Sequence, residues 1–195
     1  GYRKPLEPRT SCDTLARRLD SDSIGIFALI THHSSQEETT VATTDRTFFI
    51  VKPDGVQRGL AGEIIKRFEQ RGLKIIGMKF MLVSRELAET HYAIHRERDF
   101  FPKLVNYITS SPVIAIALEG PNAIVAARTT IGKTKPFEAE AGSIRGDFAL
   151  EVDYNLVHGS DSPENGTAEV ANFFTDAELF SGWSRNVDPW IVVPR

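Results

Sequence analysis

Thr47-Phe48-Phe49-Ile50-Val51, then Leu60, Ile64, Ile65 and Phe68 beyond the turn-rich Lys52-Pro53-Asp54-Gly55-Val56-Gln57-Arg58-Gly59, decide how this chain folds. The first run is short, apolar and β-branched or aromatic, which reads as a buried strand; the second repeats at helical spacing and stops at Gly72. Leu73 to Val83 then alternates as a strand, with Ile75, Gly77, Lys79 and Met81 opposite Ile76, Met78 and Phe80. Ser84 is a suitable N-cap for a helix through His95, and Phe101 to Ile108 is a second helical stretch. Pro112 to Leu118 reads as a strand, Asn122 to Ile131 as a helix, Gly132 to Ser143 as a loop and Arg145 to Val152 as a further strand. Ser162 before Pro163 has the form of an N-cap followed by proline at the first helical position, opening a helix through Phe173. The order β-α-β-α-α-β-α-β-α suits an α+β, split βαβ sandwich, with helices covering a four-stranded, mainly antiparallel sheet.

Composition narrows the function. The 195 residues suffice for one domain with a sizeable core, and 41% hydrophobic with 25% charged residues is ordinary for a globular protein. A net charge of −3 disfavours a nucleic-acid-binding surface, although a local cationic pocket remains compatible with it. Cys12 is the one cysteine, so no intrachain disulfide forms and a reducing compartment is the default. No run approaches the roughly 18 apolar residues of a membrane span; Ile24 to Ile30 is only a short patch. Residues 1–44 carry twelve Ser or Thr, five Lys or Arg and six Asp or Glu, without sustained periodicity. They read as a mobile extension ahead of a domain over 45–195, contributing little to folding or catalysis. Transit peptides are poor in acids, so a cytoplasmic protein is expected, with organelle import through the extension as the alternative.

The chemistry gathers in Asn155-Leu156-Val157-His158-Gly159-Ser160-Asp161. An imidazole is a nucleophile near neutral pH. It needs a second group on its far nitrogen, and Ser160, Asp161 and Glu169 are close enough in sequence to supply one. Gly159 is expected to clear space for an approaching ligand. Lys52, Arg128 and Arg145 stand near the ends of expected elements and suit phosphate oxygens, as does the Thr134 hydroxyl. Other motifs fail on inspection. Gly132-Lys133-Thr134 lacks the first P-loop glycine, since Ala127 stands there, and Pro136 interrupts the helix that should follow. His91 and His95 are four apart, but Tyr92 occupies the position of the zinc-protease glutamate, so both read as solvated or core histidines. Arg145-Gly146-Asp147 is a chance tripeptide, and Asn165-Gly166-Thr167 would be a glycosylation acceptor only in a secreted protein.

With both long motifs in view, the chain resembles the nucleoside diphosphate kinase family. That family is marked by a strand ending in Lys-Pro-Asp-Gly-Val-Gln-Arg and by a later Asn-x-x-His-Gly-Ser-Asp. The similarity runs from about Arg46 to Trp190 through His91-Tyr92, Phe100-Phe101-Pro102 and Gly142-Ser143-Ile144-Arg145-Gly146-Asp147-Phe148. It implies a ferredoxin-like fold and a ping-pong transfer of the γ-phosphoryl group of ATP, or another nucleoside triphosphate, to a nucleoside diphosphate. It places the transient phosphohistidine at His158, with Glu169 orienting the imidazole and Ser160 and Tyr92 in support. Lys52 corresponds to the lysine on sugar hydroxyl and phosphate, Phe100 to the ring on the base, and Asn155 to the asparagine on the ribose. Arg128, Thr134 and Arg145 match phosphate ligands. Mg²⁺ is the implied cofactor, held mainly by nucleotide phosphates with no direct protein ligand; Asp161 reaches it through water. The resemblance also implies a closed homo-oligomer, a hexamer ahead of a tetramer, with no membrane or specific nucleic-acid partner. Contacts are expected from the Gly132–Ser143 loop and the segment ending Trp190-Ile191-Val192-Val193. Asp99, Lys135, Ala141 and Leu118 depart from the usual residues without removing a catalytic group. The alternative is a catalytically weak nucleotide-binding or scaffold protein of the same fold, whose cheapest signature would be loss of His158 or Lys52.

Overall fold

The computed structural model describes residues 44–192. Except for Thr44, which opens the first strand, the expected extension lies outside them, as do Cys12 and Val193. Four strands form one sheet: β1 (Thr44–Val51), β2 (Lys74–Met81), β3 (Val113–Pro121) and β4 (Val157–Gly159), in the order β2-β3-β1-β4. Every pairing is antiparallel, and the fold is the ferredoxin-like α+β arrangement.

β1 is buried without interruption from Thr47 to Val51 because both of its faces are covered. Successive side chains of a strand point to opposite faces. Phe48 and Ile50 accordingly enter one core with Ala115 and Ala117, while Phe49 and Val51 enter the other with Ile116 and Leu118. The first core is roofed by α3 (Arg85–His91), α4 (Phe101–Ile108) and α7 (Pro163–Phe173), through Ala88, Val105, Ile108, Val170 and Phe173. The second is covered by α2 (Ala61–Gln70), α5 (Ala123–Ile131) and α6 (Ile144–Phe148), through Ile64, Phe68, Ala127, Ile131 and Ile144. Caps fix several of these helices: Ser84 accepts from the Leu87 amide and Ser162 from the Asn165 amide, with Pro163 at the first position.

Three expectations need correction. Arg145 to Val152 is not a strand. Ser143 caps Gly146 N–H at 3.1 Å and α6 forms instead, leaving the fourth strand to the three residues around His158. The helix expected through His95 ends at His91 and gives way to a 3₁₀ turn over Ala93–His95. In β2 the strict alternation breaks at a bulge between Ile75 and Gly77, beyond which Met78 and Phe80 are exposed. Two short helices went unread, α1 (Pro53–Gln57) and α8 (Asp188–Ile191), both with proline in the first turn.

α7 lies close on β1. A Cβ on Gly166 would come within 2.5 Å of the Arg46 carbonyl oxygen and 3.0 Å of Ile124 Cδ1. Helix propensity alone makes Gly166→Ala stabilising by about 1 kcal/mol. The clash is with backbone, so the packing penalty of about 1–3 kcal/mol wins. Urea unfolding of the Gly166→Ala variant at fixed protein concentration is expected to show a lowered midpoint; a raised one would refute the packing argument.

Candidate active site

β4 is short, and its register decides where its central side chain points. His158 pairs with Ile50, between Val157 opposite Val51 and Gly159 opposite Phe49. Directly opposed residues share a face, so His158 lies on the side of Phe48 and Ile50, facing α3 and α7. The preceding turn is held by the motif at the end of β1. The Lys52 amide donates to the Leu156 carbonyl at 2.8 Å, and the Leu156 amide donates to Asp54 Oδ2 at 3.0 Å. Tyr107 Oη donates to Asp54 Oδ1 at 2.5 Å. These bonds hold Leu156 at φ 68°, a left-handed conformation that a branched, bulky residue rarely adopts. Gly159 has a different reason from the one expected. A Cβ there would meet Ile131 Cδ1 at 2.4 Å, so glycine makes room for α5, and the chain at this point extends the strand.

His158 Nε2 lies 2.9 Å from Glu169 Oε1. A carboxylate only accepts, so Nε2 carries the proton and the lone pair of the neutral ring is on Nδ1. Glu169 is fixed in turn: Ser160 Oγ donates to its Oε2 at 2.5 Å and accepts from the Phe48 amide at 3.0 Å. Ser160 is therefore a buried link between β1 and the carboxylate. Asp161 takes no part in this chain. It accepts from Asn165 Nδ2 at 2.6 Å, and that bond holds its carboxyl below the usual range.

The histidine opens on a cavity of about 1080 Å³. Of the residues singled out in the sequence, Lys52, Tyr92, Phe100, Arg128, Thr134, Arg145, Asn155, Asp161, His158 and Glu169 line it, while Ser160 sits behind. Phe100 is 51% exposed at the mouth, its ring 5.4 Å from that of His95. Lys52 Nζ donates to Asn155 Oδ1 at 2.8 Å, and Asn155 Nδ2 to the Thr134 carbonyl at 3.2 Å. Arg145 opens from a helix and not from a strand. Its guanidinium donates to the carbonyls of Asn155, Gly132 and Val157 at 3.2, 3.1 and 2.7 Å. A guanidinium has five N–H donors, so two remain for an anion. Arg128 Nη1 donates to the Gly159 carbonyl at 3.4 Å. Burial pulls Lys52 down to about 8, with Arg145 adding to the shift and Asp54 opposing it. Burial, then Arg128, pulls Arg145 down to about 10.

Reading residue types had set His91 aside together with His95. The two are not ligands on one helical face; only His91 is in α3, and its side chain is 1% exposed. Its ring meets that of His158 edge-on, with centroids 4.6 Å apart. Desolvation, then the proximity of His158, pushes its pKa down to about 2, so it is neutral. Asp54 and Tyr107 were also missed as supports. Asp54 stands inside the first motif, but only the fold brings Tyr107 and Leu156 to it.

The family profile described as Nucleoside diphosphate kinase matches residues 45–179. A nucleoside diphosphate kinase of Trichormus variabilis is 56% identical over 147 residues, 75% of this chain and 98% of the relative. One from Archaeoglobus fulgidus is 54% identical over 151 residues, 77% of this chain and 99% of the relative. Among solved structures, a nucleoside diphosphate kinase family protein from Babesia bovis superposes with a TM-score of 0.73 at 46% identity, covering 75% of this chain and 99% of its own. A halophilic nucleoside diphosphate kinase from Halobacterium salinarum, solved in complex with CDP, gives 0.74 at 46%, covering 76% and 99%.

The depressed Lys52 ammonium has two consequences of opposite sign. Its folded pKa of about 8 lies below the ordinary 10.5, so the unfolded chain binds the proton more tightly. The burial cost weighs on the folded state below pH 8 and recedes as pH rises from 8 to 10.5. Over the same window the cavity loses a cation. Affinity for pyrophosphate is expected to fall through pH 8 in calorimetric titrations, with proton uptake on binding near that pH. Lys52→Met should bind more weakly and lack the step; an unchanged step in the variant would assign it to another group.

Proposed function

The chain belongs to the nucleoside diphosphate kinase family and is a phosphotransferase acting on nucleotides, and we propose that His158 carries the phosphoryl group in transit. The observation that supports this most directly is the 2.9 Å contact between His158 Nε2 and Glu169, which leaves the ring's lone pair on Nδ1 in a cavity lined by Lys52, Arg128 and Arg145. In the first half-reaction Nδ1 attacks the γ-phosphorus of a nucleoside triphosphate. The bond from γ-phosphorus to the bridging oxygen breaks, and its electrons stay with the departing diphosphate. Positive charge builds on the imidazole as the N–P bond forms, and the Glu169 carboxylate offsets it. Lys52, Arg128 and Arg145 take up charge on the phosphate oxygens, with the Thr134 hydroxyl as a further donor. The second half-reaction reverses these steps onto another nucleoside diphosphate.

Asn155 and Lys52 hold the sugar, and Phe100 stacks on the base at the mouth of the cavity. A π-face reads no hydrogen-bond pattern, so base selectivity is weak; such stacking is worth roughly 1–3 kcal/mol. Tyr92 supports His158 from 6.2 Å between ring centroids. The family works with a divalent cation, and Mg²⁺ is the ion we assign. It prefers oxygen ligands. Asp54 already accepts from Tyr107 and Leu156, and the one cluster of potential metal-ligating side chains among the described residues is built on two imidazoles. Nucleotide phosphates would therefore hold the ion, with Asp161 reached through water, and it would supply charge neutralisation.

The assembly is a closed homo-oligomer, a hexamer ahead of a tetramer. The Gly132–Ser143 loop and the C-terminal segment offer exposed Phe137 and Trp190, the latter 87% exposed. Part of that segment is engaged within its own chain, where Ile191 packs over Gly72. The segment ahead of Thr44 serves neither catalysis nor folding. Among the described residues no helix is long and apolar enough to cross a membrane, and a cytoplasmic setting suits the single cysteine.

Brief incubation with γ-labelled ATP is expected to give an acid-labile, base-stable protein phosphate and ping-pong kinetics. His158→Ala should lose both labelling and turnover. Glu169→Gln should slow labelling by about 10–100-fold, the usual cost of removing a group that orients an imidazole. Full labelling of His158→Ala, or intersecting double-reciprocal plots, would overturn the assignment.

A further inference from the structure

On the Nε2 side of His158 three potential ligands converge. Glu169 Oε1, which accepts from His158 Nε2 at 2.9 Å, also lies 3.9 Å from His91 Nδ1. Ligating atoms of the three residues all fall within 4.8 Å of one another. The phosphoryl transfer makes no use of His91. Its side chain is 1% exposed, and neither ring nitrogen has a hydrogen-bond partner among the described residues. A buried polar group without a partner calls for an explanation.

Two imidazole nitrogens and one carboxylate oxygen are a donor set used by catalytic zinc sites. Tetrahedral bonds of about 2.0–2.2 Å set ligand atoms roughly 3.3–3.6 Å apart. The separations of 2.9 and 3.9 Å lie on either side of that figure and the third is within 4.8 Å, so side-chain adjustments of about an ångström would close the three ligands around the ion. Mg²⁺ has no comparable interest in imidazole. We propose that His91, His158 and Glu169 form a site for a divalent transition metal such as Zn²⁺, and that filling it disables His158 as a nucleophile. The second half of this rests on His158 being the phosphoryl acceptor.

The block follows from the electron count of the ring. Neutral imidazole has one N–H and one lone pair. When the ion bonds to Nε2, the Nε2 proton leaves to solvent and Nδ1 takes one up. No net proton is released, but Nδ1 no longer has a lone pair to offer phosphorus. The shared proton between His158 and Glu169 is replaced by the metal, and His91 supplies the third bond.

The test uses the full-length chain, treated with EDTA and dialysed free of nucleotide. Co²⁺ is followed by its visible absorption and Zn²⁺ by calorimetry. Tetrahedral Co²⁺ absorption and one Zn²⁺ per chain at this site are expected. His91→Phe keeps an aromatic ring against His158 but offers no ligand, and should weaken binding by about tenfold or more. His91→Leu provides a second variant, with circular dichroism to verify folding of both. Because His32 and His33 adjoin in sequence, a double His32→Ala, His33→Ala variant serves as the control and should retain the binding. No bound ion, binding unchanged in the folded His91 variants, or binding lost with His32 and His33 would overturn the site.

The block is read with phosphoramidate as donor, which has a single phosphoryl group and chelates zinc weakly. Zn²⁺ should slow phosphorylation of His158 by about tenfold or more in the parent chain and leave the rate in His91→Phe unchanged. Binding without slowing would refute the block. Failure of His158 to accept phosphate even without Zn²⁺ would instead refute the phosphohistidine reading, while the metal titration would still decide the site.

Discussion

The pairing of Ile50 with His158 is the constraint on which the site depends. It puts the imidazole on the same side of the sheet as Phe48, where α3 and α7 pack, and so within reach of Glu169, His91 and Tyr92. A shift of one residue would turn His158 into the opposite core, among Ile64, Phe68 and Ile131. β4 has only three residues to hold this register. The supports are therefore outside the ladder: the Ser160 amide donates to the Phe48 carbonyl, Ser160 Oγ accepts from the Phe48 amide, and Asp54 holds Leu156 on the other side of the histidine. β1 can act as the reference for all of these because both of its faces are packed.

The cations of the cavity are held in place before any anion arrives. Arg145 has three donors on backbone carbonyls and Lys52 is bonded to Asn155, so neither side chain must be ordered on binding. Burial disfavours their charges, as the lowered pKa values of both record. An anion placed between them would relieve that penalty, and electrostatic attraction is stronger where water has been displaced. Preorganisation and desolvation thus favour the same class of ligand, one carrying concentrated negative charge.

Much of this was legible from residue types, and the failures have physical causes. Helices with strong end signals, Ser84 before α3 and Ser162-Pro163 before α7, were read at their correct starts. Arg145-Gly146-Asp147-Phe148 was read as extended because no apolar period distinguishes a five-residue helix; the cap from Ser143 decides it. β4 was missed because three residues, the middle one polar, make no pattern. At the site, the two motifs supplied Lys52, Asn155, His158 and Asp161; Tyr92 and Phe100 came through the family resemblance, and Arg128, Thr134, Arg145 and Glu169 from residue chemistry together with it. His91 was different: beside His95 it invited a local comparison, whereas its significance comes from a contact across 67 positions of chain, with His158. Asp54 was visible as a motif residue, but its role is defined by Tyr107 and Leu156, which only the tertiary fold delivers.

Several locally unfavourable features gather within this one site: Leu156 in a left-handed conformation, Lys52 desolvated and His91 neutral without hydrogen-bond partners among the described residues. Each costs on the order of 1–3 kcal/mol in ordinary settings. They persist because two cores, one on each face of the sheet, over-determine the backbone that carries them. Selection for stability alone would favour an apolar residue at position 91 and a glycine at 156. A left-handed Leu156 is accepted because the turn it makes delivers His158 in register. The same local geometry also seats the Asn155 side chain against Lys52, so one strained residue positions both the His158 imidazole and a cation. The concentration of unfavourable terms around β4, in a fold otherwise consistent from strand pattern to helix caps, is itself what marks this end of the sheet as the working part of the molecule.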